Sequence, residues 1–285
     1  MNRILLLAIG VSALAAVRAE TFAGQWIVDN PRESGGKTTV QFTMHRSHER
    51  GESTNSNSIA LSELRGLSPA LLKAGGGGAP ARFELVRAAG SIMCEGFFQN
   101  GRGAGSFDFR PNPGFPGEMR SLGYGDLKEQ QIFAMAAHDV GPEYARELRA
   151  AGVENVAADK LIAMRIHGVT ADYIQELRSL GYTIQAADKL VAMRIHGVSA
   201  QVVRDLKSLG YDSLEADKLI AMRIHGASPE FIREIAAAGF AKVPANQLIS
   251  MRIHGVTADY IRKMQSKGLA GSIDKLVQMR IHGID

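Results

Sequence analysis

The 285-residue chain has one cysteine, Cys94, and one tryptophan, and only 6% of its residues are aromatic. A single cysteine excludes an intrachain disulfide and a cysteine cluster around a metal. The sequence also lacks the H-E-x-x-H pattern and any serine or cysteine nucleophile with a recognisable partner. We therefore expect a protein that is not an enzyme and uses no cofactor.

An excess of charge of one sign is missing as well. Residues 20–114 carry 10 basic and 9 acidic side chains, and residues 115–285 carry 21 and 20. A nucleic-acid-binding protein needs a basic surplus to meet the phosphates. The segment Ile166–Ala171 is similar to the helix-hairpin-helix joint of DNA-binding proteins, but Thr170 stands where that motif has a second glycine. We expect no nucleic-acid partner.

The only long apolar run lies at the beginning of the chain. Met1–Ala19 contains an early arginine, an apolar stretch from Ile4 to Val17 and a small-residue exit, a pattern typical of a secretory signal peptide. We expect cleavage before Glu20 and no membrane span in the mature chain, with retention as an N-terminal anchor as the alternative. The lone cysteine favours a periplasmic product over a secreted one in a disulfide-rich medium.

Residues 20–114 show the period-two alternation of β-strands, for example in Val40, Phe42 and Met44. Joints rich in Gly, Ser and Asn separate the apolar runs. This texture predicts an all-β domain, a sandwich or jelly roll, of a size close to the lower limit for burying its own core.

Two weak motifs lie within this β domain. His45, His48 and Glu49 could be metal ligands, although neighbouring arginine and glycine residues favour a solvated hairpin tip. The segment Gly101–Gly105 resembles a phosphate loop only in its number of glycines, because it leads into a strand around Phe107 and not into a helix.

Residues 115–285 are organised by a repeat. The string M-R-I-H-G begins at Met164, Met193, Met222, Met251 and Met279, so the period is 29 residues three times and 28 once. A constant period of this length predicts a stacked array of small units. Each unit has two apolar runs that end at glycines, which indicates two helices too short to be stable alone. We predict an α-solenoid of two-helix repeats.

Capping residues indicate where the helices of each unit begin. The second helix should follow a Ser or Thr cap, at Thr170, Ser199, Ser228 and Thr257. For the first helix, the third residue after the preceding glycine offers a cap in three units, at Asp126, Asn155 and Ser213. The first helix should then run through Asp159–His167 and end at Gly168.

An arginine recurs inside each M-R-I-H-G string and defines an arginine row: Arg165, Arg194, Arg223, Arg252 and Arg280. A helical wheel places Arg165 inside an apolar arc with Leu161, Met164 and Ile166, so its guanidinium should be half-buried and needs an acceptor. The candidate acceptors are carboxylates of the next unit or of the second helix, namely Asp188, Asp217, Asp274, Glu176, Asp205 and Glu234. A structural ladder is one interpretation, and a row that contacts an anionic ligand is the other.

A histidine row runs in the same register: His138, His167, His196, His225, His254 and His282. The wheel places each imidazole on the polar side at the last helical turn, where a histidine caps the helix. The alternative is a metal- or proton-responsive row. Equivalent helices should lie about 8 to 10 Å apart, whereas two nitrogens on one zinc need about 3.5 Å, given Zn–N bonds near 2.1 Å. We therefore predict no metal site.

Three patterns precede the I-H-G-V repeats: F-x-L-x-R-x-A-G from Phe83, E-G-x-F from Glu95 and G-x-G-x-G-x-F-x-F from Gly101. This arrangement resembles the extracytoplasmic C-terminal portion of BlaR/MecR-type membrane metallopeptidase regulators and covers most of the chain after residue 20. The protease helices and zinc motif of that family are missing. The resemblance implies an exported accessory or sensing module, and no catalytic residue is carried over.

These observations predict an exported, non-enzymatic interaction or sensing module that binds a protein, peptide or cell-envelope ligand through its β domain and helical repeats. Candidate ligand contacts are the arginine row and four members of the histidine row, His167, His196, His225 and His254. A metal- or pH-responsive protein that uses the histidine row is the alternative. A hydrolase on the β domain would need an activity that no motif indicates.

Overall fold

A computed structural model describes residues 22–48, 51–73, 75, 78–269 and 271–285. They form two compact units. The sheet unit is the described part of Met1–Val86 with Ser91–Arg110, and the helical unit is Arg87–Gly90 with the described part of Pro111–Asp285. The expected order of a β region followed by helices is confirmed. The predicted signal peptide at Met1–Ala19, its expected cleavage before Glu20, and Glu49 lie outside the described residues.

The sheet unit is built on one seven-stranded antiparallel sheet, where the sequence led us to expect a sandwich or jelly roll. The strands follow the order β3-β2-β1-β7-β6-β5-β4. Their bounds are β1 (Ala23–Ser34), β2 (Lys37–His48), β3 (Gly51–Ala60), β4 (Leu64–Arg65), β5 (Ala79–Arg87), β6 (Gly90–Gln99) and β7 (Arg102–Pro111). A 3-10 turn at Leu61–Glu63 and a one-turn helix, α1 (Pro69–Leu72), lie between β3 and β5.

The sheet curls until distant strands share one core. Trp26 on β1 and Phe83 on β5 are three strands apart in the sheet order, which would be about 14 Å in a flat sheet. Their ring centroids are nevertheless 4.8 Å apart, and Phe42 on β2 lies 6.1 Å from Phe83. One face of the sheet therefore wraps around an aromatic core in which Trp26 is fully buried.

Glycines permit this close wrapping around Trp26. A Cβ on Gly105 would lie 2.0 Å from the Glu95 carbonyl oxygen, and a Cβ on Gly96 would lie 2.8 Å from the indole of Trp26. Neither position has room for a side chain. The indole Nε1 in turn donates a 3.2 Å hydrogen bond to the Glu95 carbonyl, which satisfies its polar atom inside the core.

The helical unit consists of short helices that alternate between two roles. The first helices of the repeats are α3 (Glu129–Ala137), α5 (Ala158–Ile166), α7 (Ala187–Ile195), α9 (Ala216–Ile224), α11 (Ala245–Ile253) and α13 (Ile273–Ile281). The second helices are α2 (Phe115–Ser121), α4 (Pro142–Ala150), α6 (Ala171–Ser179), α8 (Ala200–Ser208), α10 (Pro229–Ala237) and α12 (Ala258–Ser266). None of the described helices is long and apolar enough to cross a membrane.

Helices of the same role contact one another from unit to unit. Each first helix from α3 to α11 contacts the next first helix, and each second helix from α4 to α10 contacts the next second helix. Leucine and methionine supply the first-helix core, since Leu190 and Met193 of α7 are fully buried. Neighbouring units thus supply the core that a nine-residue helix cannot build alone.

The predicted caps of the second helices are confirmed, whereas those of the first helices are wrong. The hydroxyls of Thr170, Ser199, Ser228 and Thr257 accept hydrogen bonds of 3.1 to 3.2 Å from the backbone N–H three residues on. The first helix α5 begins after Ala157, two residues later than expected. Asn155 has φ +55°, a left-handed conformation that an N-cap residue does not adopt. Asp126 binds Arg120, and Ser213 likewise precedes the actual cap, Glu215.

Candidate functional site

The M-R-I-H-G-V segment forms the joint between the two helices of a unit. In the unit of α5, His167 is the C-cap, Gly168 has φ +69°, and the Val169 N–H donates a 2.8 Å bond to the Met164 carbonyl. These are the features of a Schellman motif, in which a left-handed glycine ends the helix and two apolar side chains close over it. Met164 and Val169 are both fully buried. The repeated string therefore encodes a helix end and the turn after it.

Each histidine of the row occupies the C-cap position, as the sequence predicted. His167, His225 and His254 are exposed, and His196 is half-buried. Burial lowers the pKa of His138. No group of three or more His, Cys, Asp or Glu side chains suited to a metal ion occurs among the residues that the structure describes.

The arginines reach back to the preceding joint. Arg194 Nε donates a 3.2 Å bond to the carbonyl of His167, and Arg223 does the same to His196. Arg252 binds the His225 carbonyl at 3.4 Å, and Arg280 binds the Gly255 carbonyl at 3.2 Å. Carbonyls at the end of a helix have no partner within it. The arginine of one unit thus caps the first helix of the unit before it.

The predicted carboxylate partners of the arginine row are wrong. Asp188 binds Lys160 and Asp217 binds Lys189, each in the preceding unit. Asp274 accepts a 3.0 Å bond from Gln247. These acids stand in the first turn of their helix, whereas the arginines stand in its last turn, so the two cannot meet between neighbouring units in register.

An aromatic row beneath the arginines was missed by the sequence reasoning. The guanidinium carbon of Arg194 lies 4.9 Å from the Tyr173 ring centroid, and the same stacking joins Arg165 to Tyr144, Arg252 to Phe231 and Arg280 to Tyr260. The Tyr173 hydroxyl donates a 2.7 Å bond to the Val198 carbonyl of the next joint. Burial raises the pKa of Tyr173 to about 12, so this hydroxyl remains a donor at neutral pH. The signal was an aromatic residue three positions after the cap of the second helix, which is Gly141 for Tyr144 and a Ser or Thr for the other three.

A second row that the sequence reasoning misplaced is an isoleucine row: Ile166, Ile195, Ile224, Ile253 and Ile281. We expected Ile166 inside the apolar arc, but the five side chains are between 49% and 55% exposed. Ile166 follows the buried Met164 by two positions, which is about 200° around a helix. The row therefore points away from the core, one residue from each arginine and each C-cap histidine.

The sheet unit offers less to a ligand. His45 hydrogen-bonds Thr54 across the β2–β3 pair at 3.0 Å, and the segment after Gly101 continues into β7 as expected. Burial raises the pKa of the Cys94 thiol, which disfavours the reactive thiolate. On the outer face of β6, Phe97 is 66% exposed beside an ion pair of Arg82 and Glu95.

The arginine and isoleucine rows are therefore brought together at the joints, with the histidine row at the same helix ends. The arginines act on backbone carbonyls and aromatic rings, and the isoleucines have no core to enter. This arrangement offers hydrogen-bond donors and apolar side chains to a ligand. No protein-family model matches the chain, and no curated protein sequence matches it.

Proposed function

We propose that this protein is an exported, non-enzymatic interaction module whose helical repeats bind a protein or peptide partner. The exposed isoleucine row carries the proposal. Scattered exposed apolar residues are ordinary, but five isoleucines that are about half exposed in equivalent positions on consecutive first helices form a regularly spaced apolar row. Covering half-exposed isoleucine side chains is worth about 1 kcal/mol each, at about 25 cal/mol per Å².

We further propose that the repeats form an α-solenoid and that the curled sheet closes into a sandwich-like domain. The unit-to-unit contacts among first helices and among second helices support the first point. An α-solenoid presents equivalent residues at a constant spacing along an extended surface, which suits a long partner segment. The aromatic contacts between distant strands support the second point.

Export is proposed from the sequence of Met1–Ala19, and the periplasm is favoured by the single cysteine. The resemblance to the extracytoplasmic portion of BlaR/MecR-type regulators fits the same picture of a binding module without a catalytic centre. A metal- or pH-responsive role for the histidine row is the second candidate, supported by the recurrence of a histidine at the C-cap of each first helix. Calorimetry with Zn²⁺ tests it, and tight stoichiometric binding would place it first.

The test of the main proposal replaces Ile195, Ile224 and Ile253 together by serine. The matched control replaces Arg204, Arg233 and Arg262, three exposed residues of the second helices, by serine. Surface changes of this kind should alter the free energy of unfolding by about 0.5 kcal/mol or less per site, which circular dichroism checks. In affinity capture from an extract of the source cells, a partner held by the wild type should be held by the control and lost by the isoleucine variant. Equal capture by all three proteins would refute the proposal.

A further inference from the structure

The two ends of the arginine row carry carboxylates of this chain, and the middle of the row does not. Arg165 Nη2 lies 2.7 Å from Asp139 Oδ2, and Arg280 binds the carboxylate of Asp285. For Arg194, Arg223 and Arg252, no carboxylate oxygen among the described residues lies within 4.0 Å. Each of these three guanidinium groups is bonded through Nε to a carbonyl, which leaves its outer N–H groups available.

One exposed carboxylate lies near the middle of the row without pairing with it. Hydrogen bonds from its own backbone N–H and from Ser228 lower the pKa of Glu230, and Arg233 and Arg223 add smaller contributions. Glu230 forms its ion pair with Arg233, at 3.6 Å. Glu230 therefore does not form an ion pair with Arg223, whose guanidinium can bind another partner.

The first joint shows how a carboxylate is held in this setting. Asp139 follows His138 as Gly168 follows His167, and both residues are left-handed, with φ of +56° and +69°. The guanidinium of Arg165 stacks on Tyr144 and binds Asp139 at the same time. A guanidinium that lies on an aromatic ring can thus also donate a hydrogen bond to a carboxylate here. The middle joints, with glycine in that position, lack the internal acid.

We propose that Arg194, Arg223 and Arg252, together with the isoleucine row beside them, bind an acidic and apolar peptide segment in extended conformation. This inference rests on the proposed protein-binding function and names the chemistry of the partner. Equivalent helices are about 8 to 10 Å apart, and an extended chain in polyproline II conformation has three residues per turn and rises about 3.1 Å per residue. An acidic residue at every third position of such a chain therefore faces successive arginines, and an apolar neighbour can face successive isoleucines.

Charge and apolar surface together favour a peptide over other anions. A carboxylate accepts a charge-assisted hydrogen bond from a guanidinium, as Asp139 does from Arg165. Polyphosphate would use the arginines and leave the isoleucines uncovered. A purely apolar segment would cover the isoleucines and leave three cations without a counter-charge.

The experiment measures fluorescence polarisation of labelled nonapeptides with the full chain. The probe consists of three Leu-Asp-Ser triplets, and the matched peptides have Lys in place of Asp, or Ser in place of Leu. We expect the probe to bind about tenfold more tightly than either matched peptide, and more weakly as salt is added. Polyphosphate should not displace it at equal charge. Equal binding of the Asp and Lys peptides would overturn the proposal.

A protein variant tests the same point from the other side. Gly168→Asp, Gly197→Asp and Gly226→Asp together should supply each middle arginine with an internal carboxylate, as Asp139 does for Arg165. The matched control is the triple glycine-to-asparagine variant, because Asn also tolerates the left-handed conformation and carries no charge. Circular dichroism checks that both variants keep the fold. The Asp variant should bind the probe about tenfold more weakly than the Asn variant. Equal affinities of the two variants would overturn the proposal.

The two proposals fail in different ways. Suppose that the isoleucine-to-serine variant loses the cellular partner and that the probe does not bind the wild-type protein. The protein-binding function then stands, and the proposed acidic chemistry of the partner is wrong. If that variant binds both the cellular partner and the probe like the wild type, the isoleucine row is not the site and both proposals fail.

Discussion

In the sheet unit, Trp26 donates its hydrogen bond to a carbonyl 69 residues away, whereas in the helical unit Tyr173 donates to a carbonyl 25 residues away. The sheet core depends on aromatic side chains such as Trp26, Phe42 and Phe83, each of which makes contacts that no equivalent residue repeats. The helical core repeats the same buried leucine and methionine in each first helix from α5 to α13. The core of the sheet unit has no equivalent positions, whereas the core of the helical unit consists of equivalent positions that recur from repeat to repeat.

This difference predicts two kinds of stability. A sheet closed by contacts between distant strands should unfold as a whole, because no strand keeps its core contacts when another is lost. An array of equivalent units coupled to their neighbours should lose stability locally, in proportion to the number of units that are disturbed. Trp26, the single tryptophan, reports on the sheet unit by fluorescence, while the circular dichroism of helices reports on the array.

The largest effect should come from Phe83→Ala. Phe83 is buried against both Trp26 and Phe42, so its truncation should cost about 3 to 5 kcal/mol and unfold the sheet unit cooperatively. Denaturant titration followed by Trp26 fluorescence measures it. Phe97→Ala, on the exposed face of the same sheet, should cost about 0.5 kcal/mol or less. Equal losses for the two variants would contradict the assignment of the core face.

A smaller, local loss is expected for Met222→Ala. Met222 is buried between first helices, and its truncation should cost about 2 to 4 kcal/mol, with Met193→Ala giving a similar value because the positions are equivalent. Hydrogen exchange should show the loss in the neighbouring units only. Ile224→Ala, two residues later on the same helix, should change the free energy of unfolding little. A global loss of helix would show that the units are not independent.

The stabilities of the sheet unit and the helical unit should depend differently on alkaline pH. All six tyrosines follow residue 111, and burial raises the pKa of Tyr173 from its ordinary value of 10.0 to about 12. The unfolded chain releases this proton first, so the stability of the array is complete below pH 10 and falls between pH 10 and 12. In the sheet unit, the raised pKa of Cys94 starts the loss above pH 9.0. Cys94→Ala should abolish the loss reported by Trp26 and leave that of the helices unchanged. Identical profiles with and without Cys94 would contradict this prediction.

The smallest effect compares two arginines that make the same carbonyl bond and have different residues beneath them. Arg194 stacks on Tyr173, while the equivalent position below Arg223 is Val202, and both donate Nε to a carbonyl. Arg194→Met should therefore cost about 0.5 to 1 kcal/mol more than Arg223→Met. Thermal unfolding of the two variants measures the difference. Equal costs would mean that the ring contributes nothing beyond packing.

The helical repeats could be predicted because residues within each repeat determine where its helices begin and end. The glycine and the Ser or Thr cap of each joint act within a few residues, so Gly168 and Thr170 placed a helix end and a helix start correctly. The carboxylate partners proposed for Arg194 were wrong, because its acceptor is a backbone carbonyl 27 residues earlier, which leaves no trace in side-chain patterns. Ile166 was misplaced, because one apolar arc on a wheel does not show where the neighbouring helix stops covering it. The curl of the sheet depends on contacts between distant strands, which alternation alone does not reveal.

The capping of each helix by its successor has a consequence for synthesis on the ribosome. The carbonyl of His167 accepts its hydrogen bond from Arg194, and that of Ala151 from Arg178, each 27 residues further along the chain. At about 5 to 20 residues per second, a newly emerged unit waits about 1.4 to 5.4 seconds for the residue that caps it. The interval is 27 residues for Arg194, Arg223 and Arg252. During synthesis, the cap of each of these helices therefore becomes available about one repeat after the helix itself.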